Sequence, residues 1–257
     1  SSGVNNRNVS YGPWAGHVYE TGGSKTVSIT VYDGTNVYST TQVITVTSAD
    51  AAYPTTSTVC ISHSGNFTGK PTGATEVTAG STDLYAAYQA NKGANKRLMF
   101  CKADAWTCTA PLEITQANVT LDGYGTGSAF SFGSGTAVSV TTSELGNAVF
   151  IARTAGTDAK VWGFKLTCAA NTGAFLADET IDRVLVGRVE KQGGSTGFKG
   201  NPGNGGANNV MEGLHYYKCL ADNPYAWGIS GRMSVYSGFV RGGMSGCYFD
   251  NVNDLEQ

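Results

Sequence analysis

The sequence predicts an all-β protein: a two-stranded piece of a sandwich, then a solenoid of short parallel strands entered through one helix. Three observations carry this. The 257-residue chain is only 14% charged yet holds 35 glycines, and Ser and Thr crowd nearly every segment, which favours short strands and tight turns over helices. The stretch from Gly16 to Gly34 alternates apolar and polar side chains with the period of a strand. From Lys96 onward short β-rich runs recur, and four of them align on a glycine (Gly163, Gly187, Gly213, Gly238) at steps of 24, 26 and 25 residues.

In the first of these elements Val27, Ile29 and Val31 point to one face and Ser28, Thr30 and Tyr32 to the other, with Gly22-Gly23 supplying the turn before them. The run Val37 to Val46 repeats the alternation after Asp33-Gly34, which predicts an antiparallel hairpin. Residues His17, Tyr19, Gly23, Val27, Ile29, Val31 and Asp33 follow the pattern H-x-Y-x-x-x-G-x-x-x-V-x-L-x-V-x-D, with Ile29 in the Leu position. On these residues the segment from 11 to 47 resembles the C-terminal half of a PKD domain, an immunoglobulin-like sandwich of extracellular and cell-surface proteins. The W-D-F-G-D-G segment of that family is absent, so the resemblance implies a chain that begins inside a domain. PKD domains act as spacers or adhesion modules, so it implies location more than chemistry. The small, polar, proline-marked stretch SADAAYPTTST reads as a connection. The expected division is a partial sandwich at 1–48, a linker at 49–58 and a larger domain at 59–257.

The larger domain opens with the one predicted helix, in STDLYAAYQANKG, with Ser81 or Thr82 as N-cap, apolar Leu84, Tyr85 and Tyr88, and a stop at Gly93. A period in the twenties, without heptads or a leucine-rich consensus, predicts a β-solenoid. Right-handed coiling is expected because right-twisted strands joined by crossovers close that way; the alternative is an antiparallel sandwich of evenly spaced strands. With a helix in front, and with TLDGYGTG and VWGFKLT among its runs, the segment 59–257 resembles the pectate-lyase-like right-handed parallel β-helix superfamily. The resemblance implies that Leu84 to Ala90 form a capping helix over the first coil. NVNDLEQ shows no terminal cap, so further coils are expected to follow.

A formal net charge of −2 with scattered Lys and Arg gives no electrostatic footprint for nucleic acid or anionic lipid. No apolar run is long enough to cross a bilayer and no signal-peptide pattern opens the chain, so a soluble or processed product without membrane insertion is expected. The PKD resemblance places it outside the cell, secreted or on a cell or virion surface. The six cysteines form no CxxC pair and have no histidines at zinc-ligand spacing. Cys101 and Cys108 flank a loop short enough for a disulfide; the alternative is that all six are small buried apolar residues. Cys168 and Cys219 follow Gly163 and Gly213 by five and six residues, which predicts nearby lateral positions two coils apart, beyond disulfide reach.

Candidate chemistry is sparse. Lyases of the resembled superfamily hold calcium on carboxylates and use an Arg or Lys as base, and its hydrolases pair two Asp residues, so the resemblance makes Asp178, Asp182, Arg183, Arg188 and Glu190 the catalytic candidates, with Glu179 and Lys191 beside them. The alternative is a solvated acidic turn with ordinary ion pairs. His215 reads as a strand histidine, and the glycine-rich GNGG lacks the GK[ST] of a P-loop. Aromatic side chains give the other reading, because Trp106, Trp162, Tyr216, Tyr217, Tyr225, Trp227, Tyr236 and Tyr248 supply more ring area than a narrow core hides. Among them Trp106, Tyr216, Tyr225, Trp227 and Tyr236 are the glycan-binding candidates. The expectation is therefore a protein that binds a polysaccharide or cell-surface glycan or spaces other domains, and the alternative is a polysaccharide lyase or glycoside hydrolase. No cofactor or metal is expected; calcium is the one ion the enzymatic alternative admits.

Overall fold

The structure, a computed structural model, describes Tyr19 and residues 21–250, apart from 132–133, 154–156, 179–180, 195–196, 202–209, 213–214, 218, 223–228, 232–237, 241–242 and 246–247. The described part is mostly β. Strands β1 (Gly23–Tyr32) and β2 (Val37–Val46) form an antiparallel hairpin, Tyr32 opposite Val37 and Gly23 opposite Val46, and pair with no other strand among the described residues. Its turn is fastened by the Asp33 carboxylate, which accepts from Thr35 N at 2.9 Å and Asn36 N at 2.7 Å.

The remaining strands are almost all parallel. The first sheet runs, neighbour to neighbour, through β4 (Thr75–Thr78), β3 (Thr58–Ser62), β5 (Arg97–Cys101), β8 (Thr120–Tyr124), β12 (Lys160–Cys168), β15 (Leu185–Gly193), β18 (His215–Tyr217) and β22 (Gly243–Ser245). Strands β6 (Ala105–Cys108), β9 (Ser128–Ala129), β10 (Thr136–Thr142), β19 (Leu220–Asp222) and β23 (Tyr248–Asp250) extend it sideways, β9 pairing antiparallel with β10. A second sheet stacks β7 (Leu112–Ile114), β11 (Ala148–Ala152), β13 (Gly173–Asp178), β16 (Phe198–Asn201) and β20 (Ile229–Gly231), and a third stacks β14 (Ile181–Asp182), β17 (Val210–Glu212) and β21 (Gly238–Val240). Each turn of chain therefore lays a strand on the previous turn, and Thr58, Arg97, Thr120, Lys160, Leu185, His215 and Gly243 stand level with one another.

The sheets curl around one apolar interior. Val59, Leu98, Leu121, Val161, Val186 and Tyr216 form an inward column through six successive turns. Phe150 joins it from β11, its ring centroid 4.8 Å from that of Phe164, while Phe100 meets Trp106 at 5.6 Å. Such a column keeps apolar side chains at one lateral position, so each turn finds an apolar neighbour above and below. Strands buried on one face but covered in places on the other read as continuous apolar runs, as in AVFIA of β11, where every residue is buried.

The turns are kept in step at one corner. Asn95, Asn118, Asp158 and Arg183 each lie two residues before β5, β8, β12 and β15, and each adopts a left-handed backbone, with φ of 58°, 54°, 54° and 50°. Asn and Asp tolerate this conformation better than most residues. Asn118 Nδ2 donates to Asn95 Oδ1 at 3.1 Å, and Arg183 reaches down to Asp158 through Nε–Oδ1 at 2.6 Å and Nη2–Oδ2 at 2.9 Å. This corner, and not the glycine series, is the repeat. Gly187 is level with Trp162, one residue off Gly163; Gly238 opens β21 in the third sheet; Gly213 lies outside the described residues. The interval between corners varies from 23 residues (Asn95 to Asn118) to 40 (Asn118 to Asp158), because chain is added between strands without disturbing the stack.

Helix α2 (Leu84–Asn91) buries Leu84, Ala87 and Tyr88 in the same interior, and Tyr88 OH donates to Glu113 O at 2.7 Å on β7. Its N-cap is Asp83, one residue after the expected Thr82 and two after Ser81; the carboxylate accepts from Tyr85 N and from Thr109 N and Oγ1, which ties the helix start to the end of β6. The expected linker is also fastened. It contains α1 (Ala49–Ala52) and a 3-10 turn at Thr55–Ser57; Asp50 pairs with the buried Arg97, and Tyr53 OH donates to Asn118 Oδ1 at 2.8 Å while accepting from Thr120 Oγ1 at 2.9 Å.

The expected Cys101–Cys108 disulfide is absent: both are free thiols on opposite sides of the wall. Cys101 lies outside with Cys60, Met99 and Tyr124, beneath the loop after β3, whereas Cys108 faces the interior. Cys168 and Cys219 are not bonded to each other, and they do not share a lateral position, since Cys168 is level with Gly193 and Cys219 precedes Leu220, which is level with Glu190. Cys247 lies outside the described residues.

Candidate functional site

On the outer wall of the first sheet, β12 and β15 share a bulge. Val161 and Val186 point inward, then Gly163 and Arg188 take positive φ of 81° and 51°, and Phe164, Leu166, Val189 and Lys191 point inward again. One extra residue per strand thus resets the alternation and turns neighbouring side chains outward. Trp162, just before the bulge, is half-buried and lies across Gly187 on the next turn: a Cβ there would come within 2.0 Å of the ring. Gly187 is required by that ring, not by a bend, since its own φ is not positive. Gly187→Val should therefore expel the indole and destabilise by about 2 kcal/mol; thermal melts equal to wild type would reject this.

Charged groups stand at neighbouring positions of the same wall. Asp122 on β8 is the acceptor for Arg97, Nη2 to Oδ2 at 3.0 Å, and its Oδ1 lies 3.7 Å from where a Gly163 Cβ would sit. Lys102 crosses over Gly123, whose Cβ would meet its Cε at 2.9 Å. Burial holds the Lys102 amine below the usual lysine range against the pull of Asp122, with Arg188 adding to the lowering, and burial lowers Lys160 likewise. Arg188 lies with its guanidinium 5.9 Å from the Phe130 ring centroid and donates from Nη2 to Ser134 O at 2.9 Å. Comparison of the chain with protein-family models, with curated proteins and with solved structures gives no match.

The acidic candidates are dispersed. Arg183 is held by Asp158 and Asp182 at the left-handed corner, and the Asp158 carboxyl is kept below its usual range chiefly by the Arg183 hydrogen bonds. Glu190 is buried on the other side of the bulge, where its carboxylate accepts Ser131 N at 2.6 Å and the Ser131 hydroxyl and pairs with Lys165 Nζ at 3.2 Å. Asp178 ends β13, level with Asn201. Asp182 and Glu190 therefore serve separate contacts, and among the described residues no three His, Cys, Asp or Glu side chains converge as a metal site. Calcium is expected to leave the melting temperature unchanged, and Asp182→Ala to cost no more than about 0.5 kcal/mol, as at a surface ion pair; stabilisation by micromolar calcium would overturn both.

Two of the ring candidates lie in the interior. Trp106 is 2% exposed, its Nε1 donating to Cys101 O at 3.1 Å, and Tyr216 is 3% exposed between Phe175 and Phe198. Neither has a face for a sugar. Tyr225, Trp227 and Tyr236 lie outside the described residues. Sequence reasoning left Lys102, Asp122 and Gly123 unassigned, although they stand together in the stack; only the register of β5, β8 and β12 shows this. Among the described residues no helix is long and apolar enough to cross a membrane.

Proposed function

We infer that the chain is a right-handed parallel β-helix with a partial PKD-like module at its N-terminal side, exposed outside a cell or on a virion, and that it binds glycan and spaces other domains. The observation supporting this is the stack itself: seven level strands give a rigid outer wall that presents an aromatic ring among charged groups, while Asp158, Asp182, Arg183 and Glu190 are occupied in holding the turns and the β9–β10 loop. The enzymatic alternative draws on one feature, the lowered Lys102 amine beside Asp122, which suits a proton acceptor. Titration of the protein with soluble neutral and acidic polysaccharides, together with an ultraviolet assay for unsaturated uronate and a reducing-sugar assay, tests both. Binding without product is the expected result; product formation would replace it by the enzymatic reading, and absence of binding and product would reject both.

A further inference from the structure

We propose that the outer wall at the β12–β15 bulge is a saccharide subsite, with the Trp162 indole as the stacking platform and Lys102, Asp122 and Arg188 as its polar rim. This localises the glycan-binding reading above and rests on it. The ring lies along the wall because Gly187 leaves room for it, so its plane is set by the next turn of chain. A sugar ring offers a face of C–H groups to such a surface and hydroxyls at its edges, and the same patch holds one carboxylate acceptor and two cationic donors. Arg188 is the second observation. It occupies the position that Gly163 fills one turn below, in a left-handed conformation that a side chain rarely adopts. Backbone strain of this kind persists where surrounding structure over-determines it, and here the Phe130 ring and Ser134 O hold the guanidinium on the outer wall.

The test is isothermal titration of wild type and variants with dextran, polygalacturonate, alginate and heparin. At least one should bind the wild type. Trp162→Leu should then weaken that binding at least tenfold, Trp162→Phe should keep most of it, and Lys102→Met and Arg188→Gln should each weaken it several-fold. Melting curves accompany each variant, and if Trp162→Leu does not fold, the Lys102 and Arg188 variants decide. Unchanged affinity in the folded variants would overturn the site while leaving glycan binding intact. No binding of any polymer by the wild type would overturn the site together with the reading it rests on.

Discussion

Lys191→Met is expected to stabilise the protein at pH 7, and the gain is expected to vanish as the solution becomes alkaline. Lys191 points inward on β15, level with Leu166, and is fully buried, its Nζ donating to Gly193 O at the end of the same strand. Burial pulls the amine down from 10.5 to about 8, against a small opposing pull from Cys168. Below pH 8 both the folded and the unfolded chain hold the proton, and the folded state bears the cost of a buried cation, about 3 kcal/mol for a shift of this size. Between about 8 and 10.5 the folded chain has released a proton that the unfolded chain still binds, so wild-type stability rises with pH across that window. Cys60 and Cys168, raised by burial to about 11, act in the opposite sense above their ordinary value, as does Tyr88. Comparison of urea melts of both proteins at each pH from 7 to 10.5 removes the Cys60 and Tyr88 contributions, which the two share. A methionine variant no more stable than wild type at pH 7, or a difference that does not shrink with pH, would contradict the assignment.

That lysine also shows what was legible in the sequence. Alternation over Gly23 to Val46 was sufficient for the hairpin, because nothing covers either face closely enough among the described residues to mask the period. The helix was visible through Leu84 and Tyr88, which face the interior one turn apart. The strands of the stack were harder. A bulge at Gly163 and Arg188 breaks the alternation midway through β12 and β15, so KVWGFKLTC and LVGRVEKQG carry no steady period and an inward Lys191 reads as a surface charge. The glycines drew attention to the bulge, but a bulge is local and does not repeat on every turn. The better signal was the polar residue two places before each strand, in NKRL, NVTL, DAKV and RVLV, where a left-handed corner favours Asn or Asp and Arg183 is held by Asp158 beneath it. Functional residues were less legible still. Asp178, Asp182 and Glu190 are neighbours along the chain, but stacking makes partners of residues a whole turn apart, so Arg183 meets Asp158 and Glu190 meets Ser131. Trp106 and Trp162 look alike in sequence; one faces in and the other out only because of their register on β6 and β12.

Asp104→Ala is expected to destabilise by about 3 kcal/mol at neutral pH, because it removes at once the acceptor for three donors, of which Ser62 is buried and His63 half-buried. The Asp104 carboxylate receives Ser62 Oγ at 2.8 Å, His63 N at 2.8 Å and Ser64 Oγ at 2.6 Å, and Ser62 Oγ in turn accepts Asn66 N at 2.9 Å. The loop leaving β3 is thereby anchored to the start of β6, over the edge of Trp106, whose ring centroid lies 5.1 Å from that of His63. Burial alone would raise the Asp104 carboxyl, but the hydrogen bonds from Ser64, Ser62 and His63 outweigh it and hold the group below its ordinary 3.8. A carboxyl depressed in the folded state stabilises above its unfolded value and loses that contribution as pH falls through the folded one. The gap between wild type and Asp104→Ala should therefore be full at pH 6 and narrow below pH 4, while Asp104→Asn, which keeps one oxygen acceptor, should recover part of it. Equal melting curves for wild type and Asp104→Ala at pH 6, or a gap that persists undiminished at pH 2.5, would show that these contacts do not anchor the loop as described.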